Sequence, residues 1–281
     1  MDGTRQGGRL TRQGFRNRVL LIVGLCIAAT VGILFLPPIA QDPAYHNFAD
    51  DRRMLGIPNL LNVISNVPFI VVGGLGMLSL LHRGSGRVCG PFTEPWERWP
   101  FVVLFAGVGL TGFGSAYYHL APSNATLFWD RLPMTLAFMS LFASIVAERI
   151  SLSAARWLLM PLLAVGTASA MSWHLGELAG ASDLRFYGLV QYLPLIAIPL
   201  VLLLFPPRYT RTADLVGAVA LYAGAKLFDL LDAQVFAAGR LVSGHTLKHL
   251  TAALATYWIL RMLKMRQPVE SLQPDVVASR G

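Results

Sequence analysis

His245 and His249 stand four residues apart in an apolar stretch near the end of the chain, a spacing that sets both imidazoles on one face of a helix. Two such rings can ligate one cation, and a third imidazole from another helix completes a three-ligand zinc site with one position left open. His119 is the candidate for that third ligand. It follows Ser115 by one helical turn and precedes Asp130, in sequence otherwise as apolar as a lipid tail. Zinc lowers the pKa of water in the open position towards about 7. Asp130 could accept the proton and pass it to a leaving group, and Ser115 could donate a hydrogen bond to the oxyanion on an attacked carbonyl. Those are the parts needed to hydrolyse an amide or an ester.

The elements that must position these groups are membrane helices. Hydrophobic residues make up 54% of the 281 positions and charged residues 14%, outside the balance of a soluble domain. At about 20 apolar residues per crossing, the chain has room for seven or eight helices and no separate soluble domain. The net charge of +8 is dispersed over loops and ends, which fits membrane orientation and not a nucleic-acid surface. Cys26, in an apolar run, and Cys89, in a polar loop, indicate neither a disulfide framework nor a thiolate metal site.

Residues 1–18 read as a disordered basic arm and residues 19–41 as an additional N-terminal transmembrane helix, either a signal anchor or a long signal peptide. Residues 42–266 read as one domain, with helices over 59–81, 100–120, 124–148, 155–175, 184–205, 212–233 and 243–264. Residues 267–281 read as a disordered tail. The fold class expected is therefore an all-α membrane protein, a seven-helix bundle with one extra helix before it. Basic residues crowd one side: Arg5, Arg9, Arg12, Arg16, Arg18, Arg83, Arg87, Arg98, Arg149, Arg156, Arg208, Arg211, Arg261, Lys264, Arg266 and Arg280 against Arg52, Arg53, Arg185, Arg240 and, near a helix start, Arg131 on the other. That asymmetry predicts eight crossings with both termini cytoplasmic, and it puts Ser115, His119, Asp130, His245 and His249 at one depth in the outer halves of their helices. The excess of arginine over lysine associates the chain with a bacterial cytoplasmic membrane.

Structural roles compete for each of these residues. A single membrane histidine is commonly a hydrogen-bonded packing residue, Ser115 suits helix packing, and Asp130 beside Arg131 suits an interface ion pair. His174, at an outer helix end, is the rival third ligand but lacks a companion serine and carboxylate. His46 and His82 lie in loops without supporting context. Asn62, Ser65 and Asn66 are expected to bond across helices. Lys226, Asp229 and Asp232, spaced by three on one helix face, are expected to form an internal ion-pair network with Lys248.

The set Ser115-xxx-His119, Asp130 and His245-xxx-His249 resembles the alkaline ceramidase family, part of a membrane hydrolase superfamily that also contains the adiponectin receptors. The resemblance spans residues 42–266. It implies a seven-helix core, zinc held by His119, His245 and His249, assistance from Ser115 and Asp130, and cleavage of the amide of a membrane lipid, ceramide or a relative, into a sphingoid base and a fatty acid. It also raises a calcium site from Asp42, Asp50 and Asp51, although Asn59 stands where a glutamate is expected and the family's tryptophan–glutamate pattern is missing. The substrate would enter from the bilayer, with Tyr117, Tyr118, Trp129 and Tyr187 as candidates for the wall. An esterase or deacylase of another lipid, a receptor-like bundle with structural zinc, and a transporter using Lys226, Asp229 and Asp232 are the alternatives.

Overall fold

The computed structural model describes residues 11–82 and 92–269. The expected tail beyond residue 269, the first ten residues of the basic arm and Cys89 lie outside them. Among the described residues the protein is all helical, with no sheet. We number the helices α1 (Arg12–Leu34), α2 (Leu60–Leu81), α3 (Arg98–Leu120), α4 (Asn124–Arg149), α5 (Leu152–Leu178), α6 (Arg185–Leu204), α7 (Thr212–Leu230), α8 (Asp232–Gly239) and α9 (Gly244–Met265). The chain is a multi-pass membrane protein: α1 to α6 are each long and apolar enough to cross a bilayer.

Of the eight expected crossings, α7 and α9 fall short on apolarity and not on length. Each carries three charges, Asp214, Lys226 and Asp229 on α7 and Lys248, Arg261 and Lys264 on α9. Those charges are mostly paired inside the protein, Asp214 with Arg211 and Arg261, and Asp229 with both Lys226 and Lys248. The first helix begins at Arg12, capped by Thr11, so that part of the basic arm is helical and not disordered. One face of α1 lies on α6, where Phe15 meets Phe205 edge-on, and most of its apolar surface stays exposed, as suits a helix in lipid.

Two local devices set the geometry around the centre of the bundle. Pro133 in α4 has no N–H for the carbonyl four residues back, that of Trp129. That freed carbonyl leans on α3 at Gly114, where an added Cβ would come 2.0 Å from its oxygen. Only glycine permits this approach, and it lies beside Ser115 on one helix and Asp130 on the other. The tight turn between the two helices is closed by Ser123, which caps α4 in a reciprocal box with Thr126. In α2, Pro68 follows a break at Ser65 and Asn66 that divides the helix into Leu60–Ile64 and Val67–Leu81.

The helix expected over 212–233 ends earlier, at Leu230, and the chain turns into short α8. Asp232 therefore leaves the face of Lys226 and Asp229. Its carboxylate instead accepts from the backbone N–H of His245 at 2.7 Å and of Ala49 at 2.9 Å, joining the segment before α2 to the start of α9. Gly244, where a Cβ would lie 2.2 Å from the Phe228 carbonyl oxygen, lets α9 start against the end of α7.

Candidate metal centre and cavity

His119 near the end of α3 and His245 and His249 in the first turns of α9 meet in the interior. Their ring centroids form a near-equilateral triangle, 4.9, 5.0 and 4.8 Å on a side. All three rings are buried, and each offers a nitrogen within 4.8 Å of the other two. The Nε2 atoms of His119 and His245 are 3.3 Å apart. Two nitrogens about 2.0–2.1 Å from one tetrahedral zinc are about 3.3 Å from each other, so this pair has the spacing of ligands sharing an ion.

The contacts behind the rings decide which nitrogen is free. Ser65 donates its hydroxyl to the Asn62 carbonyl, so its oxygen, 2.8 Å from His249 Nδ1, accepts the ring N–H. His245 Nδ1 lies 3.0 Å from an Asp229 carboxylate oxygen, an acceptor only, and 3.3 Å from Lys248 Nζ. The shorter contact puts the proton on Nδ1, by the logic of the network. Both Nε2 lone pairs are thus turned inward, an arrangement that repels without a cation between them. Carboxylate or hydroxyl partners of this kind orient metal-binding imidazoles and raise their basicity. His119 is held through its backbone, where its carbonyl accepts from Asn59 Nδ2 at 2.9 Å. Its buried Nδ1 has no partner among the described residues.

Ser115 and Asp130 come near one another where α3 meets α4. Both line, with His249, a cavity of about 740 Å³ that runs from the segment Ile39–Asp42 down to Ile259. Asp130 stands outside the histidine group. It is not in an ion pair with Arg131 within 4 Å, among the described residues.

Several expectations need correcting. Tyr187 lines the cavity, but Tyr117 and Trp129 are half-exposed on the outside of the bundle, because the α3 and α4 faces that meet at Gly114 turn them away. Tyr118 is buried and bonded to His46 Nδ1 at 2.9 Å. His46 also contacts Asn124 Oδ1 at 2.9 Å, so this loop histidine pins the segment before α2 to two helices. His174 stacks on Phe128 at 4.5 Å and takes no part in the histidine group.

The candidate calcium residues do not converge. Both Asp50 oxygens are taken by the Arg52 guanidinium, at 2.6 and 2.8 Å. Asp42 caps the short turn Pro43–His46, and the Asn59 amide is spent on His119. Asp51 is exposed. Among the described residues the histidines are the one such group able to hold a metal. A hard cation wants six or more oxygens, and this segment fits an arginine instead.

Sequence reasoning missed Ser65 and Asp229 as partners of the ligands. Asp229 was visible as an intramembrane charge, whereas nothing in the local sequence distinguishes Ser65 from a packing serine.

A sequence model of one family, described as Ceramidase, matches residues 56–198. No curated protein is similar enough to match. The matched span includes Ser115, His119 and Asp130 and stops before His245 and His249, which the fold alone brings to the other three.

Proposed function

Because the chain belongs to the ceramidase family, we propose that it is a zinc-dependent intramembrane lipid amidase, cleaving ceramide or a related lipid into a sphingoid base and a fatty acid. The observation that carries this reading is the buried triangle of His119, His245 and His249 beside a cavity lined by Ser115 and Asp130. The three imidazoles would hold the ion, whose Lewis acidity polarises an amide carbonyl and acidifies water. Asp130 accepts a proton from the attacking water and returns it to the departing nitrogen. The Ser115 hydroxyl, on the same cavity wall, donates to the oxyanion.

The apolar length of the cavity suits an acyl chain, with the amide at its polar end. In this reading α7 and α9 also cross the bilayer, so α2 to α7 and α9 form the seven-helix core and α1 is an addition. Both termini are cytoplasmic and the histidines lie towards the outer side.

Purified protein is expected to contain one zinc per chain and to release fatty acid from ceramide, with both lost in His249→Ala. Asp130→Asn is expected to keep the metal and the fold while slowing release by about 10²- to 10⁴-fold. Full activity in Asp130→Asn, or release that survives loss of the metal, would sink the proposal. Zinc at full occupancy without turnover of any lipid would favour a receptor-like role.

A further inference from the structure

Arg131 follows Asp130 on α4 and lines the same cavity, yet nothing in the hydrolytic reading uses it. Its surroundings are unusual for a buried cation. The residue is 6% exposed, and its guanidinium lies over the rings of Trp173, Tyr187 and Tyr45 at 4.2, 4.8 and 5.5 Å. Nη2 donates to Gln41 Oε1 at 2.7 Å, while buried Nη1 has no partner. Among the described residues no carboxylate comes within 4 Å of it. The other charged groups on the cavity are Asp42, Asp130, Asp229, Lys226 and Lys248. Asp130 is not in contact with the guanidinium, Asp229 is paired with the two lysines and His245, and Asp42 caps Ala44.

A desolvated guanidinium with no carboxylate in direct contact is expensive, and aromatic faces and the charge of nearby Asp130 offset only part of that cost. Arg131 lines the cavity with an N–H still to be satisfied, and the acceptor that also balances the charge is an anion. We propose that Arg131 reads an anionic head group: the preferred lipid carries a phosphate, sulfonate or carboxylate at the polar end. Gln41 and the three rings fix the guanidinium plane, so the residue determines specificity and does not touch the reacting atoms. The proposal rests on the amidase reading for its substrate, but the binding site it assigns can be tested without turnover.

Two ceramides differing only in a phosphate monoester on the primary hydroxyl are compared by fatty-acid release from the full-length, metal-loaded protein. The phosphate form is expected to have the higher kcat/KM, by about 10- to 100-fold, with Arg131→Gln collapsing that ratio and Arg131→Lys restoring part of it. A ratio at or below one in the wild type, or one unchanged in Arg131→Gln, overturns the proposal. A second measurement uses the wild type alone, following heat by titration calorimetry while dodecyl phosphate, dodecyl sulfonate, dodecanol or inorganic phosphate is added. The two anionic amphiphiles should bind about tenfold or more tightly than dodecanol, with inorganic phosphate weaker than both. Equal binding of dodecanol overturns the anion site, and equal binding of inorganic phosphate overturns its assignment to a lipid. If the amphiphile ranking holds but no lipid is hydrolysed, the amidase reading fails and the anion site stands. Hydrolysis without head-group preference has the opposite meaning.

Discussion

A partner on the far nitrogen orients a buried imidazole and raises its basicity, and Ser65 and Asp229 do that for His249 and His245, while His119 is held through its backbone. Removing either should therefore weaken metal binding without removing a ligand. Ser65→Ala and Asp229→Asn are each expected to lower zinc affinity by about 10- to 100-fold, measured by competition with a chelator of known affinity. Unchanged affinity would mean that the rings are oriented by packing alone. Arg52 makes a second prediction at this scale. Its guanidinium spans both oxygens of buried Asp50 and donates to the carbonyls of Arg240 and Leu241. A cation of the chain's own thus braces the segment before α2 against the end of α8. Thermal unfolding should be insensitive to a calcium-selective chelator and should shift down in Arg52→Ala. Stabilisation of the wild type by added calcium would contradict this. The three histidines, Ser115 and Asp130 could be read from spacing and residue type, because ionisable groups in apolar sequence are costly and few. Their partners could not, since which serine meets which ring depends on where a helix breaks.

Helix lengths and order follow from hydrophobic runs, and those were legible. The interruptions were less so, and they do the positioning. Pro133 frees the Trp129 carbonyl and Gly114 receives it, so α3 and α4 approach closely where Ser115 and Asp130 must touch. Gly114→Ala should force these helices apart, costing about 1–3 kcal/mol of stability and most of the activity while leaving the metal content intact. Full activity in the variant would show that the close approach is not needed. The end of α7 shows the limit of reading by periodicity. A spacing of three continued through Asp232, but the helix stops at Leu230, and Asp232 ties the start of α9 to Ala49.

At the scale of the whole molecule, the segment before α2, with Asp42, His46 and Arg52, closes one end of the bundle. A second set of contacts, Arg149 with Thr212, Arg208 with Glu97 and Arg266 with Glu148, ties helix ends and the loops beside them. On the proposed orientation the first set lies outside and the second inside. In a variant without Cys26 and Cys89, Leu55→Cys should react with a membrane-impermeant maleimide on intact cells, and Pro206→Cys only after permeabilisation. The reverse pattern would invert the orientation and move the histidines to the cytoplasmic half. The claim that everything else serves is that three imidazoles from two distant segments share one ion. X-ray absorption at the zinc edge of the purified full-length protein measures this directly. It should give one zinc per chain with about three imidazole nitrogens at about 2.0–2.1 Å, falling to background in His119→Ala. A protein with no bound metal, or with zinc whose imidazole signal survives that substitution, would contradict it.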